Sequence, residues 1–143
     1  MLIECDRDLA ALLTGVAHIA LVGASDKPDR PSYNVLAFLL EEGFQVTPVN
    51  PGLAGQLLQG QTVVARLSDI PQAVDMVDVF REGAALPFIV SETVAIGAPV
   101  LWTQLGVRNL VAETDALNQG LDLVVDKCPA QELPRLRSCA LIP

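Results

Sequence analysis

The densest cluster of chemically useful residues runs from position 23 to 32. Gly23-Ala24-Ser25 is followed there by Lys27, Arg30, Pro31 and Ser32. Gly23 and Ala24 are small enough for their backbone N–H groups to approach a phosphate, and Ser25 adds a hydroxyl donor. A helix opening at about Ser32 would turn a partial positive charge toward the same anion. Lys27 and Arg30 would neutralise phosphate oxygens, Arg30 through two parallel N–H bonds. The plainer reading is an ordinary strand-to-helix turn, which needs small residues anyway.

Other candidate catalysts are isolated. The single histidine, His18, opens an apolar run at the end opposite the ligand edge and reads as a structural residue, solvent-facing or hydrogen-bonded. Cys128 stands beside Lys127, and a neighbouring cation would lower its pKa, yet no second Cys or His is placed to complete a nucleophile–base pair. A packing cysteine is the default, against a mixed disulfide with a thiol ligand. Asp75 and Asp78 are three apart in an apolar run, so they face opposite sides of a strand; ion pairing or helix capping is expected of them. Trp102 reads as core or as packing under a ligand, and Gln104 as a hydrogen-bonding group at the mouth of a site. Cys5, Cys128 and Cys139 are odd in number and widely spaced, which excludes a disulfide framework or a zinc site from the expectations. No catalytic and no metal site is expected.

The elements that position these residues repeat. Apolar runs at His18–Val22, Val46–Val49, Met76–Phe80, Val100–Trp102 and Leu121–Val125 start 28, 30, 24 and 21 residues apart. They are rich in Val, Leu and Ile with little polar alternation, the pattern of strands buried on both faces. Between them lie helical stretches at Asp6–Thr14, Ser32–Glu42, Pro87–Ile96 and Leu110–Gln119, the last preceded by Asn109 as an N-cap. Each stops at a glycine: Gly15, Gly43, Gly97 and Gly120. Thr62–Ala65 reads as a short extra strand, and Pro129–Arg137 as a helix that Pro134 would interrupt. The expected fold is a single three-layer α/β, Rossmann-like domain over residues 1–143, with a mainly parallel sheet of about five strands.

Charge then locates a ligand. The chain carries nine basic and seventeen acidic residues, a formal charge of −8, which argues against a nucleic-acid partner. The loops following the five strands hold Lys27, Arg30, Arg81, Arg108 and Lys127 against Asp26, Asp29, Glu82 and Asp126. That edge is therefore about +1 and the remainder −9, a mildly positive mouth on an acidic body suited to an anionic small molecule. No apolar stretch is long enough to span a bilayer, and the acidic start lacks a secretory pattern, so a cytoplasmic protein is expected. The apolar surplus, 51% of residues, leaves room for a homodimer or another protein partner. A nicotinamide dinucleotide is disfavoured: GxGxxG is absent, and the second strand ends in Pro48-Val49-Asn50-Pro51 with no carboxylate for a ribose. Asn50 would instead offer its amide to an adenine edge or a ribose hydroxyl.

The ordered set VGAS (Val22–Ser25), Lys27-Pro28, Arg30-Pro31-Ser32, PVNP (Pro48–Pro51), VDVFR (Val77–Arg81), Trp102, Gln104-Leu105-Gly106 and Asp126-Lys127-Cys128-Pro129 resembles the small stand-alone bacterial CoA-binding domain proteins. These are similar to the N-terminal CoA-binding domain of the succinyl-CoA synthetase alpha subunit. The resemblance runs from about Leu12 to Arg137. It implies a Rossmann-like domain with coenzyme A as cofactor. Gly23, Ala24 and Ser25 would take the pyrophosphate, with Lys27 and Arg30 near the phosphates. Asn50 and Pro51 would line the adenosine side, and Phe80 and Arg81 would flank the ligand. One departure is Lys127, where the family more often carries arginine. The synthetase's second domain, with its phosphorylated histidine, has no counterpart in this sequence, so synthetase activity is not carried over. The resulting expectation is a non-catalytic binding or sensing module for CoA or an acyl-CoA. The alternatives are an NAD(P)- or CoA-thioester enzyme component needing a partner chain, and an interaction protein with a vestigial pocket.

Overall fold

A computed structural model describes residues 1–143. Helix α1 (Asp6–Gly15) precedes strand β1 (His18–Val22), helix α2 (Pro31–Glu41) and strand β2 (Gln45–Val49). A small antiparallel hairpin, β3 (Leu57–Leu58) and β4 (Gln61–Thr62), leads to β5 (Met76–Val79) and α3 (Leu86–Ala95). Then come β6 (Val100–Thr103), α4 (Leu110–Asn118), β7 (Asp122–Val124) and α5 (Pro129–Ser138). The main sheet is parallel throughout, in the order β2-β1-β5-β6-β7. Strand order reverses between β1 and β5, the position at which doubly wound sheets open a crevice for ligands.

The strands follow from their side chains. All of β1, β5 and β6 is buried, as expected for runs covered on both faces. The flanking β2 and β7 are partly exposed. Pro48 is tolerated because β2 is an edge strand, where a missing N–H breaks no ladder. That edge is nonetheless partly covered, since Val64 N donates to Pro48 O at 3.1 Å and Asn50 N to Val64 O at 2.9 Å. The extra strand expected at Thr62–Ala65 is thus a two-residue hairpin arm followed by a single bridge from Val64 to Val49. At the far edge, Leu2 bridges Leu123.

Helices α1, α2 and α5 cover one face of the sheet, packing Leu9, Leu13, Val35, Leu36, Leu133 and Leu136 around Trp102. Helices α3 and α4 cover the other through Ile89, Val90, Ala112 and Ala116. Asn109 caps α4 as expected, its Oδ1 accepting from Ala112 N at 3.1 Å. Glycines in left-handed conformation follow α2, α3 and α4, but Gly15 is itself the last helical residue of α1, which leaves through an extended Val16. Pro134 does not interrupt α5. It is exposed, while the flanking Leu133 and Leu136 are buried and Arg135 pairs with Asp6 of α1 at 2.7 Å. One lost backbone bond is outweighed by that anchoring. No helix is long and apolar enough to cross a membrane.

Candidate functional site

A cleft of about 1050 Å³ opens over the carboxyl ends of β2, β1, β5 and β6. The structure brings all ten sequence-derived candidates to its wall: Gly23, Ala24, Ser25, Lys27, Arg30, Asn50, Pro51, Phe80, Arg81 and Gln104. One lip is formed by the N-terminal turns of α2 and α5, including Ser32, Val35, Cys128 and Gln131. The opposite lip is the apolar face of α3, with Ala85, Phe88 and Ile89.

Gly23 follows β1 at φ +87°, and a Cβ there would meet the Phe80 carbonyl carbon and oxygen at 3.0 Å. The β1 and β5 exits are therefore closely apposed, and only glycine fits between them. Phosphate chemistry at this turn is distributed differently from the expectation. The N–H groups of Gly23 and Ala24 both donate to Val49 O, at 3.1 and 3.2 Å, and so are not free for a phosphate. At this turn the N–H groups of Ser25, Asp26, Asp29 and Ser32 have no acceptor inside the protein. Ser25 Oγ accepts from Lys27 N at 3.1 Å, which bends the loop and leaves its own O–H free to donate. Asn34 Nδ2 donates to Pro28 O and Arg30 O at 3.2 Å and ties the loop to α2.

Lys27 and Arg30 enter none of the chain's ion pairs. Arg81 lies 3.5 Å from Glu82, whose carboxyl is held below its usual range by a backbone hydrogen bond and then by that guanidinium. Arg66, 3.9 Å from Asp69, is a fourth cation on the cleft wall. Glu92 is the carboxylate there; burial raises its pKa while Arg66 opposes the shift. Sequence reasoning missed Arg66, Glu92, Phe88 and Leu105. The first follows the irregular hairpin, and the helical pattern of α3 does not reveal which of its faces meets the cleft.

Several expected roles change. Asn50 braces the site instead of offering a free amide: Nδ2 donates to Ala24 O and Oδ1 accepts from Gly52 N, both at 2.7 Å. Asp75 accepts from the N–H groups of Ala17 and His18, at 3.0 and 2.8 Å, neither an ion pair nor a helix cap. Asp78 is also unpaired by any cation. It is fully buried, and burial pushes its carboxyl up to about 7, opposed by a 2.7 Å hydrogen bond from Gln104 Nε2. Cys128 lines the cleft, but its pKa is raised, first by burial, and Lys127 turns instead to Glu132 at 3.9 Å. The thiol is therefore not activated by its neighbour. His18 is structural, with Nδ1 2.7 Å from Ala73 O and Nε2 2.7 Å from Thr47 Oγ1. Trp102 is core, its indole donating to Lys127 O at 2.8 Å.

A doubly wound parallel sheet with a cation-rimmed cleft at its reversal point defines a Rossmann-like α/β domain. Residues 17–134 match the CoA binding domain family, and the chain belongs to that family. It is 34% identical over 121 residues to the uncharacterised protein YneT of Bacillus subtilis, covering 85% of this chain and 88% of that one. The structure of cell-free ID.343 from Thermus thermophilus superposes with a TM-score of 0.89 at 37% identity, covering 93% and 99% of the two chains. At 22% identity, the dinucleotide-forming acetyl-coenzyme A synthetase 1 of Ca. Korarchaeum cryptofilum shares the fold. Its TM-score is 0.64, over 75% of this chain and 25% of that larger one.

Proposed function

We propose that this protein binds coenzyme A, free or acylated, in the cleft at the β1/β5 reversal, as a cytoplasmic binding or sensing module without turnover of its own. The observation that carries the reading is the pairing of free donors with free cations at one turn. Ser25, Asp26, Asp29 and Ser32 have unengaged N–H groups, and Lys27 and Arg30 beside them have no carboxylate partner. A pyrophosphate supplies the acceptors that such an arrangement lacks. Coenzyme A has a 3′-phosphate in addition, so it uses cations at more than one loop, and Arg81 and Arg66 stand on the neighbouring walls. The Gly23–Phe80 apposition narrows the cleft floor between the β1 and β5 exits, and the apolar α3 lip faces an uncharged portion of the ligand. Bound coenzyme A would bring a thiol or thioester; this chain's residues would hold it and shield it.

The test is titration calorimetry with coenzyme A on the native chain and on Arg30→Ala. A charge-assisted phosphate contact is worth about 1.5–3 kcal/mol, so the variant should bind roughly ten- to a hundredfold more weakly. Unchanged affinity would remove Arg30 from the site. Absence of binding by the native chain would reject the reading.

A further inference from the structure

Beneath the cleft lies a polar pair that the phosphate site does not use. Asp78 sits in the middle of β5, in register with Leu21 on one side and Trp102 on the other, with no exposed surface. Its Oδ2 has no hydrogen-bond partner, an arrangement that is expensive to keep in a protein interior. Its Oδ1 takes one bond, 2.7 Å from Gln104 Nε2, just beyond the end of β6. Gln104 is 6% exposed, and that residual surface lines the cleft. Gln104 Nε2 donates to Asp78 Oδ1, which turns the side-chain NH2 down toward it whether the carboxyl is charged or holds its proton on Oδ2. The amide oxygen Oε1 is then left without a partner in the protein, and it is not sealed from the cleft as Asp78 Oδ2 is.

We propose that Asp78 is a positioning residue that locks the Gln104 amide with its carbonyl oxygen toward the cleft, where it accepts an N–H of the ligand's pantetheine arm. The inference rests on the coenzyme A reading above. With the phosphates at the β1–α2 turn, the cleft has two directions left. Toward β2 it meets Pro51 and an Asn50 whose amide is already engaged on both sides. Toward β6 it meets Gln104 and the exposed Leu105, an acceptor beside an apolar surface. An arm of amides and short alkyl segments matches that second direction.

The test measures affinities of coenzyme A, 3′,5′-ADP and 4′-phosphopantetheine for the full chain by calorimetry. Gln104→Leu should weaken coenzyme A and phosphopantetheine roughly three- to tenfold, the value of one hydrogen bond, and leave 3′,5′-ADP within about twofold. Asp78→Leu removes the acceptor and should show the same split while the chain stays folded. Asp78→Asn keeps an acceptor at Oδ1 and should retain native affinity for the arm. The double Gln104→Leu/Asp78→Leu variant should be no weaker than Gln104→Leu alone. Equal losses for both fragments in Asp78→Leu, or equal behaviour of the Asn and Leu variants, would overturn the positioning role. If the native chain binds neither fragment nor coenzyme A, the binding reading itself fails, and that result is distinct from the other two.

Discussion

Replacing Asp78 by asparagine should change how stability depends on pH more than it changes the fold. The carboxyl titrates at its ordinary 3.8 in the unfolded chain and at about 7 in the folded one, because burial disfavours its charge. Between these values the folded state holds a proton that the unfolded state has released. The group's contribution is therefore fully present below 3.8 and is lost as pH rises through about 7. At 1.36 kcal/mol per pH unit the loss is about 4 kcal/mol. Asparagine keeps the acceptor for Gln104 and has no charge to bury, so this component vanishes. Urea unfolding of both chains at pH 5 and pH 8.5 isolates it, because the other carboxylates are common to the pair. Because part of the contribution is already gone at pH 5, the native chain should lose about 2.7 kcal/mol more than the variant between those conditions, roughly 9 °C in Tm. Parallel stability profiles would refute the claim that a buried, unpaired carboxyl sits under the cleft.

Gly23→Ala should destabilise the protein by more than about 1 kcal/mol and weaken ligand binding, since it strains a φ of +87° and crowds the Phe80 carbonyl; thermal unfolding reads the first effect. Cys128 should react slowly with iodoacetamide at pH 7.5, more slowly than the exposed Cys5 and Cys139, because burial keeps its thiol protonated; mass spectrometry after timed quenching distinguishes them. Trp102→Phe should cost about 1–3 kcal/mol in urea unfolding by leaving the Lys127 carbonyl without its indole donor.

The strands and most helices were legible because burial on both faces demands consecutive apolar residues, as in Ile19–Val22, and because Asn109 and the helix-ending glycines mark boundaries locally. Pro134 differs from the expectation because local propensity is outvoted by packing, in α5 through Leu133, Leu136 and the Arg135–Asp6 pair, while Gly15 differs only by one residue at the boundary of α1. All ten candidate residues reach the cleft because each lies just after a strand or opens a helix, positions the doubly wound topology gathers at one edge. Their hydrogen bonding was not legible. The partner of the Gly23 and Ala24 N–H groups is a backbone carbonyl 25 or more residues away, which no side-chain type announces. Asp78 and Gln104 meet because β5 and β6 are neighbours in register, and spacing along the chain does not encode that.

The most direct test of the binding account is thermal unfolding with coenzyme A, dephospho-coenzyme A and NAD at matched concentrations, against a ligand-free control. A ligand at about a hundred times its Kd adds roughly 2.7 kcal/mol, a shift of several degrees for a domain of this size. Coenzyme A should raise Tm, the dephospho form should raise it less, and NAD should leave it unchanged. A larger shift with NAD, or none with any of the three, would contradict the binding account.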